Sequence, residues 1–479
     1  MRSLGFEPRT SNWGGPIWVL GTGSSTILWH TQRHTQLFNI EMKEFDVDSS
    51  KIEFGKGHIM GTKLFDVERT VMELIMCDDS AKKKQSAQKI FDIAHEEGIY
   101  PSSIHEFYAA RGRGEFGGFT VPAINLRSMT YDLARSIFRV AKKHNSGAFI
   151  FEIARSEIGY TNQLPMEYSS IVLAAAIKES YSGPIFIQAD HFQVNAAKFQ
   201  ENPDKEIEAL QALIADAISS GFYNIDIDSS TLVNLSEPDL EKQQLLNYDV
   251  CAKLTRFIRR IEPPGITISV GGEIGEIGHQ NSTPEDLHAF MAGLRNKLPN
   301  GLAGISKISV QTGTTHGGVV LPDGSIAQIN LDLKTLKTLS EIARKEYGLA
   351  GAVQHGASTL PPEAFNKFAE CETAEVHLAT EFQNMIYESE YFPVDLKKRI
   401  YKWLKVNAAS EAKKDETEEQ FFYKTRKKAL GPFKKEIMSL PQETRDAIAS
   451  EIEDRFDFLF TQLGVVNKGD LVNRYVRDR

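Results

Sequence analysis

A chain of 479 residues with 41% hydrophobic and 25% charged residues has the composition of a globular protein, with room for one large domain plus additions or for two to three average ones. The net charge of -9, with no Lys/Arg stripe interleaved with aromatics, argues against a nucleic-acid partner. Three scattered cysteines, Cys77, Cys251 and Cys371, form no CxxC pair, so they argue against a thiolate metal site and for a reducing, cytoplasmic setting. No apolar stretch approaches the roughly 20 residues that a bilayer span requires, so no membrane partner is expected.

In chain order, residues 1–41 come first and resist a folded reading. Glycines and a Ser24-Ser25-Thr26 run interrupt their mildly apolar stretch, unlike a signal peptide, and Gly21-Thr22-Gly23 lacks the lysine of a phosphate loop. Gly5 to Ser11, Gly-Phe-Glu-Pro-Arg-Thr-Ser, resembles the translation of a transfer-RNA gene arm, so 1–41 is expected to be unstructured or an over-extended gene start, with the true start at Met42 or Met60. Residues 42–118 are expected to form a helical extension. Val71, Leu74 and Ile75 make one apolar stripe, and Ala87, Ile90, Phe91 and Ala94 make another. A glycine-rich stretch at 111–118 closes it.

From there short β-rich runs alternate with amphipathic helical stretches. The runs are 120–124, 148–152, 184–189, 223–227, 267–270, 305–310, 350–354 and 374–378. Helices are expected at 131–143, 207–219, 240–261, 284–298 and 333–346. Eight β/α units in this length predict an α/β fold, a TIM (β/α)8 barrel over 119–401. An open doubly wound sheet rarely uses eight units, and no dinucleotide fingerprint follows the first run. Residues 402–479 are expected to be a C-terminal helical extension, with stripes at Ile437 and Leu440 and at Ile448, Ile452, Phe456 and Phe460 that either pack on the barrel or meet another subunit.

Chemistry concentrates where the runs end, the face on which barrel enzymes work. The third run stops at Asp190-His191. Taken alone this pair reads more readily as a strand-end cap beside a surface histidine, but similar residues recur. The fifth run leads to Gly271-Gly272-Glu273, the sixth to Thr315-His316-Gly317, the seventh to His355-Gly356-Ala357-Ser358. Three imidazoles and a carboxylate converging on one face suit a catalytic metal with an open position for substrate. The glycines after two of the histidines, with Ser358 and Thr380, offer a backbone nest for phosphate.

These residues resemble the class II, metal-dependent ketose-bisphosphate aldolases over about 119–384. Val121-Pro-Ala-Ile-Asn125, Ala189-Asp190-His191, Asp226-Ile-Asp228-Ser-Ser230, the segment from Glu273 to Gly278, Gly313-Thr-Thr-His316-Gly317 and His355-Gly-Ala-Ser358 follow the family's motifs in order. The resemblance implies a glycolytic carbon–carbon lyase. It would cleave or form a phosphorylated ketose, fructose-1,6-bisphosphate-like, through a metal-stabilised enediolate of dihydroxyacetone phosphate. It implies Zn²⁺ or another divalent transition metal on His191, Glu273, His316 and His355, with a monovalent cation as a further ligand, and Asp190 as the catalytic proton donor. Gly317, Gly356, Ala357, Ser358, Ala379, Thr380, Asn125 and His377 would meet the substrate and its phosphate. Asp228, His279 and Glu276 would be supporting or secondary acid groups. The expected assembly is a homo-oligomer.

The sequence also departs from the family. Asn281 stands where most members carry an acid after the fifth strand, His377 where they place Asn, and Glu152 where Gln is more usual. The alternatives are therefore a lyase or epimerase of the same superfamily on another sugar phosphate or sugar acid, and a non-catalytic aldolase-like subunit.

Overall fold

Nine parallel strands form a single sheet in the computed structural model, which describes residues 66–275, 280–314, 321 and 331–476. They are β1 Ile99–Ser102, β2 Val121–Asn125, β3 Ile150–Ala154, β4 Gly183–Gln193, β5 Asn224–Asp228, β6 Ser269–Glu273, β7 Lys307–Val310, β8 Ala352–Gln354 and β9 Glu375–Leu378. β2 to β9 pair in sequence order, and β9 returns to β2, so eight of them close into a parallel barrel ringed by helices, a TIM barrel. Each expected run overlaps one of these eight strands. Barrel strands are covered outside by helices and filled inside by side chains, so they read as near-continuous apolar runs.

The helices between them carry ordinary start signals. Thr283 caps Pro284–Lys297 in a reciprocal capping box with Asp286, and proline occupies the first helical position. Asp332 caps Leu333–Tyr347, which Gly348 ends at φ +70°. The stretch 240–261, expected as one helix, is two: Leu240–Gln243 and Leu245–Ile261. The carbonyl of Gln243 accepts from Asn234 N at 3.1 Å, a bond from outside the helix.

The region before the barrel is not purely helical. After the Val67–Met76 and Ser80–Glu96 helices, β1 pairs with the first part of β4, from Ile99 opposite Gly183 to Ser102 opposite Phe186. β5 takes over the same edge of β4 from Gln188 onward. Asn224, buried at the start of β5, joins all three strands. Its Nδ2 donates to Ser102 O at 3.1 Å and Ile187 O at 3.0 Å, and its Oδ1 accepts from Ile104 N at 2.9 Å.

Beyond the barrel, Gln442–Gln462 lies against the Thr130–Lys143 helix. Ser136 Oγ donates to Ala449 O at 3.2 Å, and Arg445 pairs with Asp132 at 3.2 Å. The stripe of Ile448, Ile452, Phe456 and Phe460 is fully buried in this packing. Among the described residues no helix is long and apolar enough to cross a membrane. Residues 1–65, on which the expected N-terminal extension and start sites fall, lie outside the described residues.

Candidate active site

The site begins with an irregularity. Between Ala189 and Phe192 the register of β4 on β5 slips, and His191 sits at φ +38°, a left-handed conformation uncommon for a residue with a side chain. In a regular strand neighbouring side chains point to opposite faces. Here Asp190 and His191 line the same cavity, of about 540 Å³.

His191 is held from one side and faces its partner on the other. Its Nδ1 lies 3.1 Å from Asp228 Oδ2, and its Nε2 lies 3.0 Å from His355 Nδ1. Asp228 also accepts from Ser230 Oγ at 2.7 Å and Gln193 Nε2 at 2.6 Å. Burial opposes ionisation of Asp228, but these donors outweigh it and hold the carboxyl below its ordinary pKa. An ionised Asp228 fixes the orientation of the imidazole, as carboxylates do behind metal-bound histidines. His355 Nε2 then reaches Ser309 Oγ at 3.1 Å and Glu273 Oε2 at 3.6 Å.

One ligand atom each from His191, Glu273 and His355 falls within 4.8 Å of the others. Two imidazoles and a carboxylate so placed make a donor set suited to a divalent transition metal. These residues therefore fit the ion that the family motifs imply. His316, the fourth expected ligand, lies outside the described residues, as do Gly317, Glu276 and His279.

His377, on β9, sits beside this set with its ring centroid 4.1 Å from that of His355. Its Nδ1 is 3.1 Å from both Asp190 and Glu152, and its Nε2 is 2.6 Å from Glu375. Burial opposes a charge there, yet the carboxylates of Glu152 and Asp190 outweigh it and raise the imidazole well above its ordinary pKa. Glu152 is itself pushed well up, by burial and then by Asp190.

Of the residues expected to meet phosphate, Gly356, Ser358, Ala379 and Thr380 line the cavity, and Gly356 adopts φ +69°. Ser358 Oγ accepts from Ala379 N at 2.9 Å. Ala357 is buried beneath them. Asn125 is also buried and donates to Glu157 at 2.5 Å. Asn281 is exposed and donates to Asp332 at 3.2 Å.

Sequence reasoning missed the basic wall of the cavity. Arg127 and Arg155 line it, paired with Glu157 and Glu206 at 2.6 Å each, together with Lys198 and Lys427. Arg127 lies two residues beyond β2 and Arg155 directly follows β3, positions that could have flagged them. Lys427 follows the whole barrel, and no local signal marks it.

The model of the class-II fructose-bisphosphate aldolase family matches residues 112–455. The chain belongs to that family. Among solved structures it is similar to a probable tagatose 6 phosphate kinase of Sinorhizobium meliloti 1021, at 14% identity and TM-score 0.50, covering 74% of this chain and 100% of that one. It is also similar to a fructose-bisphosphate aldolase of Campylobacter jejuni, at 18% identity and TM-score 0.45 over 78% and 98% of the two chains. A fructuronate-tagaturonate epimerase of Cohnella laeviribosi matches at 12% identity and TM-score 0.49 over 83% and 86%. No curated protein matches.

Proposed function

We propose that this family member is a zinc-dependent aldolase that cleaves or forms a phosphorylated ketose. The observation that carries this reading is the meeting of His191, Glu273 and His355, two of which, the histidines, line the cavity with Asp190. A divalent ion bound there supplies a Lewis acid for the charge developing on the substrate carbonyl, without a Schiff-base lysine.

The chain's own groups do the rest. Asp190 takes the proton from the hydroxyl of the scissile carbon in cleavage and returns it in condensation. His377, 3.1 Å from Asp190, holds that carboxylate in place. Asp228 keeps His191 turned toward His355. The Gly356 and Ser358 turn, with Thr380, accepts the donor phosphate through backbone and hydroxyl donors. The three unpaired cysteines suit a reducing compartment, and we place the protein in the cytoplasm.

A second reading has one observation in its favour. Glu152 and His377, both departures from the family pattern, sit against Asp190, and an acid–imidazole pair in reach of the proton-transfer group suits an epimerase or lyase on another sugar phosphate or sugar acid. A panel of ketose phosphates, assayed for aldehyde release, separates the two. The aldolase reading expects cleavage that chelator abolishes, and a loss of roughly a hundredfold or more in Asp190→Ala. Full cleavage in excess chelator, or isomer formation without aldehyde, contradicts it.

A further inference from the structure

Part of the cavity wall comes from outside the barrel. Lys427 lies in the single 3-10 turn Arg426–Ala429, far beyond β9, yet it lines the same cavity as Asp190 and His191. That turn is fixed at several points. Arg426 is buried, donates to Asn384 Oδ1 at 2.5 Å and pairs with Glu388 at 3.0 Å. Gly431 N donates to Tyr160 O at 3.0 Å, and a Cβ at Gly431 would stand 2.5 Å from that oxygen, so the two backbones approach as only glycine allows. Lys434 donates to Asn162 O at 2.5 Å. Tyr160 and Asn162 belong to the end of the Arg155–Thr161 helix, whose residues line the cavity. The turn is thereby fastened to the helix that follows β3.

The cations around the cavity differ in how they are neutralised. Arg127 and Arg155 each hold a carboxylate at 2.6 Å. Lys427 has no ion pair and no side-chain hydrogen bond among the described residues, and its ammonium stands 5.9 Å from the Tyr160 ring. Glu157, which attracts it through space, already serves Arg127. Its surroundings and the repulsion of Arg127 together pull Lys427 below the ordinary lysine pKa. Lys427 is exposed, so its ammonium is not locked to a carboxylate and is open to an anion that enters the cavity.

We propose that Lys427 is a specificity-determining residue supplied by the C-terminal extension, binding a second anionic group, phosphate or carboxylate, at the far end of the substrate. Lys198, exposed on the Ala196–Glu201 helix and also lining the cavity, is placed to share that anion. The inference rests on reading the cavity as a site for a phosphorylated ketose. It narrows the substrate to sugar derivatives with an anion at each end.

Calorimetric titration of inorganic phosphate into the full chain tests it without turnover. Lys427→Met should bind one phosphate fewer per chain than the wild type, and Lys427→Arg should restore it, with unchanged thermal unfolding showing that both variants fold. Equal stoichiometry and affinity in wild type and Lys427→Met overturns the proposal. In turnover, Lys427→Met should raise KM for a ketose bisphosphate about tenfold or more while kcat moves far less, and should narrow the preference over a ketose monophosphate. An unchanged KM overturns it as well. A phosphorylated keto acid run alongside distinguishes carboxylate from phosphate. Absence of cleavage on every substrate sinks the aldolase reading and leaves the phosphate count to decide on Lys427.

Discussion

His191 holds backbone that most side chains avoid, and two contacts secure it there: Asp228 on Nδ1 and the neighbouring His355 on Nε2. Asp228→Ala removes the first of these. It should weaken zinc binding roughly 10- to 100-fold, read by competition with a chromogenic chelator, while the fold is retained. Equal affinity in the variant would mean that the bulge alone orients the ring. Side chains brought together next to their own strand ends were legible in the sequence, as Asp190, His191, Glu273 and His355 were. The hydrogen bond of Asn125 to Glu157 was not, because Glu157 lies on the helix after β3 and is shared with Arg127. Away from the site, His105 makes a separate prediction. Burial, and then Arg259, lower it to about 4, and its Nδ1 lacks a hydrogen-bond partner among the described residues. The unfolded chain protonates this imidazole near pH 6.5 and the folded protein only near 4. Its contribution is therefore intact above pH 6.5 and is lost as pH falls toward 4. Urea unfolding across that window should show His105→Gln losing less stability than the wild type, by up to about 1.4 kcal/mol per pH unit. Parallel curves would contradict this.

At the scale of elements, the eight barrel strands and the helices between them were readable because burial on both faces leaves long apolar runs, and caps such as Thr283 and Asp332 mark the helix starts. β1 was not readable. Four residues with a proline inside carry neither an apolar run nor an alternation, and what makes Ile99–Ser102 a strand is the spare length of β4 beside it. Asn224 fastens this join through three hydrogen bonds. Asn224→Leu leaves two buried carbonyls and one N–H without that partner, and should cost roughly 3 kcal/mol or more in chemical unfolding. A loss under about 1 kcal/mol would show that β1 is held by its backbone pairing alone.

In the molecule as a whole, the barrel interior carries charge as well as apolar packing. Lys307 on β7 reaches Gln188 at 2.7 Å, Asp226 at 3.0 Å and Glu375, and Tyr108 closes the other side of Glu375 at 2.5 Å. This buried layer links β4, β5, β7 and β9, and through Glu375 it touches His377 and so the candidate active site. Such pairings between distant strands leave no local trace, which is why the sequence showed Lys307 only as one residue of a strand. The same holds for Lys427, brought to the cavity by an extension that was readable only as helical. The central claim is that His191, Glu273 and His355 form a metal site with Asp190 beside it but not in it. Elemental analysis of purified chains loaded with zinc and then desalted tests this most directly. The account predicts about one tightly held ion per wild-type chain, the same in Asp190→Ala, and loss of that ion in His355→Ala. Equal metal content in wild type and His355→Ala, or none in the wild type, contradicts it.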